Sequence, residues 1–215
     1  MVGNFIMRNV EATIARTYNK RFTKLGAVPE ASLWFSKERQ LVRFKLIADV
    51  VAQKRPKENF SITDIGCGYG AFVPYLFQRF PNEDFTYTGF EIAEKPLNYC
   101  IKTYKRSNVV FKMGNLPKRH SDFSIMSGTY NYAPVLSPKV WQAYLFKNLS
   151  QIWSYSRLGI IFNLSVASEA KITSQNISYF SQENVMSFCQ NELGKTSLSF
   201  SDNLPKEATF SVFRS

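Results

Sequence analysis

The stretch Phe60-Ser-Ile-Thr-Asp-Ile-Gly-Cys-Gly-Tyr-Gly70 constrains this chain most: an apolar, strand-like run meets an acid and then three glycines at alternate positions. Glycine at 66, 68 and 70 permits a tight turn with positive φ and lets a ligand approach the backbone where a Cβ would hold it off. A helix is expected from Ala71 onward. Strand, glycine turn and helix in that order point to an α/β fold and a nucleotide-cofactor loop. Which cofactor turns on Asp64, two residues before the first glycine. Loops that hold a pyrophosphate offer it backbone N–H groups and a helix N-terminus, and a carboxylate at the strand tip repels it. A cationic ligand is attracted instead.

The next strand-like run, Phe85-Thr-Tyr-Thr-Gly-Phe-Glu91, ends in a glutamate 21 residues beyond Gly70. A nucleotide-binding βαβ unit places there the acid that accepts from both ribose hydroxyls. Asp64-Ile-Gly-Cys-Gly-Tyr-Gly70 followed by Tyr87-Thr-Gly-Phe-Glu91-Ile92 resembles the class I S-adenosylmethionine (SAM)-dependent methyltransferases. SAM carries a sulfonium and an α-ammonium group and no phosphate, which suits Asp64. Two alternatives stay open on the sequence: an NAD site, since Gly66-x-Gly68-x-x-Ala71 also fits the dinucleotide pattern, and a purely structural glycine turn.

With 215 residues the chain is long enough for one well-buried α/β domain. No apolar run approaches the ~18 residues a membrane span needs, and Met-Val-Gly-Asn-Phe-Ile-Met-Arg8 lacks the basic and apolar regions of a signal peptide. A cytoplasmic protein is the expectation. Cys67, Cys100 and Cys189 have no metal-ligand spacing, and with a single histidine no metal site is expected. The net charge of +11, from 27 basic and 16 acidic residues, favours an anionic partner or a solvated basic surface.

Helix signals fill 36–53, where Ser36 can cap and Leu41, Phe44, Ile47, Ala48 and Val51 recur at helical spacing. Strands are then expected near 60–65, 85–91, 109–113, 122–127 and 157–164, and helices near 71–80, 95–106, 138–154 and 181–193. Such alternation argues for a mostly parallel sheet covered on both faces. Ser197–Ser201 and Thr209–Phe213 read as a closing antiparallel hairpin. The resemblance implies a Rossmann-like three-layer α/β sandwich, its seven-stranded, mostly parallel sheet ending in that hairpin. Residues 36–215 would form the methyltransferase domain, and 1–35 a lid or cap that is mobile without ligand.

Within the superfamily the chain is similar to a group of small bacterial methyltransferases, through Tyr18, Gly26, Trp34, Gln40, Arg43 and Phe44, through Ser127-Gly-Thr-Tyr-Asn131, through Phe162-Asn163, and through Asp202 and Glu207-Ala-Thr209. The resemblance assigns the methionine part of SAM to Asp64, Gly66, Cys67, Gly68 and Gly70, the ribose to Glu91, and the adenine to Ile92, Asn115 and Leu116. Asn115 stands where the superfamily usually has an acid, and its carbonyl oxygen can still accept from the adenine amino group; the alternative is that it only shapes the turn before Pro117. Ser127 borders the sulfonium. Arg43 could pair bidentately with the methionine carboxylate, or lie on its helix surface.

Tyr130, Asn131 and Asn163 are the candidates around the acceptor, Tyr130 chiefly as a wall, while Asn163 could equally turn the backbone. His120 falls at the opposite end of the sheet and is no candidate for a base. Ser127-Gly-Thr-Tyr-Asn131 is not the Pro-Pro-Tyr-type motif of enzymes that methylate base amino groups, and no cysteine stands where cytosine C5 enzymes need one. The leading expectation is therefore methyl transfer to O or N of a small, anionic metabolite, such as a nucleotide-activated sugar or a surface-polysaccharide precursor. An RNA methyltransferase, from the charge and the 15% aromatic content, and a non-catalytic SAM-binding module are the alternatives.

Overall fold

The computed structural model describes residues 2–34, 36–81, 84–135 and 137–214, with the backbone alone for 2–7. Five parallel strands form its centre: β1 (Phe60–Ile65), β2 (Phe85–Glu91), β3 (Val109–Met113), β4 (Ser121–Ser127) and β5 (Ser156–Ala167). They lie in the order β3-β2-β1-β4-β5, so the chain reverses direction across the sheet between β1 and β4. The crevice at such a reversal, beyond the carboxyl ends of the strands, is where these sheets bind ligands.

The closing hairpin is present. Strand β9 (Glu207–Phe213) runs antiparallel to β5 from Gly159↔Phe213 to Ser165↔Glu207, and β8 (Lys195–Ser199) pairs with its far edge. These strands complete the expected seven-stranded sheet. Two short strands add to it: β6 (Lys171–Ile172) and β7 (Ser178–Ser181), the latter parallel to the last residues of β5. The twelve-residue β5 outruns its neighbours and so has free backbone at its end for β7 to pair with.

Alternation along the strands sends side chains to two apolar layers. Phe123 and Ile125 of β4 and Ile161 of β5 pack beneath α2 (Lys37–Lys54), α3 (Phe72–Arg79) and α4 (Glu94–Thr103). Met126, Ile160, Phe162 and Leu164 pack on the other face against α5 (Pro138–Ser154) and α6 (Gln182–Phe188). Ser36 caps α2 by accepting from the Arg39 N–H, and Phe44 of that helix stacks on Phe72 of α3 with ring centroids 4.4 Å apart.

The N-terminal segment, where periodicity suggests no element, is helical. Val2–Leu25 is one helix, α1, followed by a 3-10 turn at Pro29–Ser32. Arg8, Arg16, Lys20, Arg21 and Lys24 mask its apolar stripe in the sequence, but Val10, Ile14, Tyr18 and Phe22 recur four apart on one face. Met1 and Phe35, at the ends of the expected 1–35 cap, lie outside the described residues. No helix among the described residues is long and apolar enough to cross a membrane.

Candidate active site

At the crevice the structure forms a cavity that opens to solvent, placed where such sheets bind ligands. Its floor is the glycine loop. Gly66, Gly68 and Gly70 all have positive φ, and a Cβ on Gly66 would lie 2.6 Å from the Thr129 methyl. That closeness is built in, because the Thr129 hydroxyl donates to the Ile65 carbonyl at 2.6 Å and ties the β4 loop to the β1 tip.

Asp64 is 2% exposed and lines the cavity. Burial pushes its carboxyl up to about 7, although the Tyr87 hydroxyl donates to Oδ2 at 2.7 Å and opposes the shift. Glu91, raised chiefly by burial, ends β2 one strand over. Its Oε2 accepts from Gly68 N–H at 2.9 Å and its Oε1 from Ala93 N–H at 2.7 Å. Glu91 thus also fastens the glycine loop to the neighbouring strand, a structural duty that its spacing alone does not reveal.

Beyond β3, Asn115 lines the same cavity. Its Nδ2 donates to Glu11 Oε1 at 2.7 Å and to Tyr144 Oη at 3.3 Å. Ile92, Cys67, Ser127 and Tyr130 are also on the wall. Leu116 is turned instead into the apolar layer beneath α5, and Gly70 faces Tyr104 and Cys100, whose atoms a Cβ there would meet at 2.6 and 3.0 Å.

Arg43 requires a correction. It is 6% exposed and off the cavity wall; its Nε and Nη2 donate to the two carboxylate oxygens of Glu207, and its guanidinium lies 3.8 Å from the centre of the Trp34 ring. The reason is register. Ser127, Asn163 and Thr209 form one row across β4, β5 and β9, and Ser165 with Glu207 forms the next on that face. Helix α2 covers this polar end of the sheet, so its cation meets the β9 carboxylate. One helical turn earlier, Gln40 does reach the cavity, with Oε1 held by the Tyr69 hydroxyl at 3.1 Å. Spacing places Gln40 and Arg43 on one helix face but cannot tell which of them meets an acid elsewhere in the chain.

Of the acceptor-side candidates, Asn131 Oδ1 accepts from Ser165 N–H at 2.9 Å, and Asn163 donates to Thr209 Oγ1. The first ties the loop after β4 to β5, the second joins β5 to β9, and both residues lie off the cavity wall. Tyr130 is on the wall, and burial raises its hydroxyl far above the usual phenol range, which keeps it protonated at neutral pH. His120 sits beside Tyr155 at the start of β4, away from the cavity. Gly128, with φ of 75°, would bring a Cβ to 3.1 Å from Trp34, which roofs this end. Helix α1 closes the opposite wall with Ile14, Tyr18 and Phe22.

Among the described residues two carboxylates, Asp64 and Glu91, line this cavity and no lysine or arginine does. A pyrophosphate would face two acids and no cationic side chain there, which counts against the dinucleotide alternative. The buried Ser127 Oγ on the wall has no protein partner, as expected where a ligand supplies one. Among the described residues no cluster of ligating side chains suits a metal ion.

No protein-family model matches the chain. By sequence it is similar to "Putative methyltransferase Rv1506c" of Mycobacterium tuberculosis, with 29% identity over 139 residues, or 64% of this chain and 82% of that protein. In structure it is similar to a SAM-dependent methyltransferase of Leishmania major (TM-score 0.67, 12% identity, covering 93% of this chain and 82% of that one). The magnesium protoporphyrin IX methyltransferase of Synechocystis PCC 6803 with bound SAM is another such neighbour (TM-score 0.59, 15% identity, 82% and 80% covered). Sheet order and these likenesses show that the chain has the class I methyltransferase fold, and its sequence is similar to that of a putative methyltransferase.

Proposed function

We propose that the protein binds SAM across the tips of β1, β2 and β3 and transfers its methyl group to an acceptor that enters beside Trp34 and Tyr130. The observation that carries this reading is one cavity bringing together a buried acid at the β1 tip, the glycine loop, a second acid at β2 and an amide acceptor beyond β3. In this arrangement Asp64 faces the α-ammonium group, Gln40 Nε2 donates to the methionine carboxylate, and the remaining lone pairs of Glu91 accept from the ribose hydroxyls. The residues fit the group: the raised Asp64 carboxyl marks a buried charge short of a cationic partner.

SAM supplies an already activated methyl group, so the protein's part is to align donor and acceptor and to exclude water. Trp34, Tyr130 and the α1 stripe provide apolar walls for that exclusion. Tyr130 keeps its proton, so it serves as a wall or hydrogen-bond donor rather than a base.

For the acceptor, the +11 net charge supports a small or mid-sized anionic metabolite, of the nucleotide-sugar or polysaccharide-precursor kind. With no lysine or arginine among the described residues of the wall, this charge would act on the acceptor's approach rather than inside the pocket. Calorimetry with SAM, followed by transfer of labelled methyl from SAM into metabolite extracts, tests the reading. Saturable SAM binding with label in a small anionic product is expected; absence of SAM binding overturns it.

A further inference from the structure

The contact between α1 and the far end of the cavity has a fixed proton direction. Glu11, as a carboxylate, can only accept. Tyr144 Oη lies 2.5 Å from Glu11 Oε1 and donates to it, so the lone pairs of Tyr144 are left to accept. Asn115 Nδ2 meets both atoms, at 2.7 and 3.3 Å. Every hydrogen bond in this trio is satisfied with the Asn115 amide one way round. Flipped, the amide would set its carbonyl oxygen against the Glu11 carboxylate. Tyr144 cannot easily swing away to permit the flip, because its ring is stacked on Trp141 with centroids 5.0 Å apart, and the Trp141 indole N–H donates to the Tyr130 carbonyl at 2.8 Å.

Adjacent strand ends lie about 4.8 Å apart. With the methionine part at the β1 loop and the ribose at Glu91 on β2, the base must extend over β3, where Asn115 follows the strand. On the reading that SAM occupies the cavity, we infer that Glu11 of helix α1, with Tyr144, is a positioning residue that locks the Asn115 amide so that its carbonyl oxygen faces the base, making the site selective for a 6-aminopurine over a 6-oxopurine. The amino group of adenine donates to that oxygen; the oxo group of hypoxanthine would confront it lone pair to lone pair. Selectivity that the superfamily usually draws from an acid after the third strand would here be relayed from the N-terminal helix, so the helix must be docked for the base to be read.

The test is binding of S-adenosylhomocysteine and S-inosylhomocysteine, measured by calorimetry, to the intact protein and to Glu11→Ala and Tyr144→Phe variants. The intact protein should prefer the adenosyl compound by about tenfold or more, as expected when a buried acceptor is left facing an acceptor. In Glu11→Ala the amide is free to turn, and the preference should shrink to within about threefold, with Tyr144→Phe between. A merely structural Glu11 would weaken both ligands in proportion and leave their ratio unchanged, which overturns the inference, as does equal binding of the two by the intact protein. Binding of neither compound by the intact protein would instead remove the proposed SAM site itself. If Glu11→Ala does not fold, the ratio in Tyr144→Phe decides: a preference as large as that of the intact protein overturns the inference.

Discussion

Asp64 is buried with one hydroxyl against a carboxyl that desolvation raises to about 7, and this makes cofactor binding depend on pH in a definite direction. The carboxylate is the form that attracts an ammonium group. Above about pH 7 it is present and affinity is full; below, a proton must be expelled on binding, and affinity should fall by up to roughly tenfold per pH unit. For the ligand-free protein the sign is opposite. Native Asp64 retains a proton that the unfolded chain has released from about pH 4, so its contribution to stability declines as pH rises from about 4 to about 7. Calorimetry in buffers of different ionisation enthalpy should detect proton release near pH 6.5 and none in Asp64→Asn. Glu91→Ala has two expected effects, because this carboxylate also holds the Gly68 N–H. SAM affinity should drop by about 1–3 kcal/mol, and amide exchange in the glycine loop should accelerate even without ligand.

At the scale of elements, α2 is joined to β9 by the buried Arg43–Glu207 pair, a contact spanning most of the chain. Removing one member strands the other. Arg43→Ala should destabilise the fold by about 3 kcal/mol, the low end for a broken buried pair, because Arg39 remains 3.4 Å from Glu207. Replacing both members, as in Arg43→Met with Glu207→Leu, should recover most of that loss in chemical denaturation. Helix α1 is held differently, by polar contacts from its middle to its C-terminal turn: Glu11 to Asn115 and Tyr144, Asn19 to Lys95 N–H at 2.8 Å, and Thr23 to Lys95 Nζ at 2.6 Å. Of its residues with a described side chain only Val10 is buried. An element with so little buried apolar surface opens at low cost, so hydrogen exchange over residues 10–25 should be fast in the free protein and slow markedly when SAM is added.

What the sequence discloses and what it withholds divide along the same physical line. Periodicity exposes the parallel sheet, because strands buried on both faces read as apolar runs between helical patterns, and Asp64, the glycines and Glu91 stand at fixed offsets within one βαβ unit. Arg43 and Asn163 are at the expected places in the chain, but their partners, Glu207 and Thr209, lie on a strand that enters the sheet last. No local spacing encodes that pairing. The same holds for Glu11, which is unremarkable within a cationic helix until the fold sets it beside Asn115. Strands β6 and β7 escape notice for a simpler reason: two and four residues are too few to show a period.

Taken whole, the molecule is basic overall and acidic at its site: 27 lysines and arginines against 16 acids, yet two acids and no such cation among the described residues of the cavity wall. The two charge distributions act over different ranges. A surface field is screened beyond a Debye length of ~10 Å at 0.1 M salt, whereas a buried acid facing its ligand is screened much less. Raising salt from about 50 to about 500 mM should therefore increase KM for an anionic acceptor severalfold through slower encounter, while the Kd for SAM changes by less than about twofold. A KM that ignores salt would mean that the basic surface does not steer the acceptor. An RNA acceptor would announce itself by a third outcome, affinity falling as a steep power of salt concentration, because each phosphate contact releases counterions. Measuring both constants in one salt series thus distinguishes a metabolite drawn in by the field, a neutral acceptor that diffuses in unaided, and a polyanion gripped along the surface.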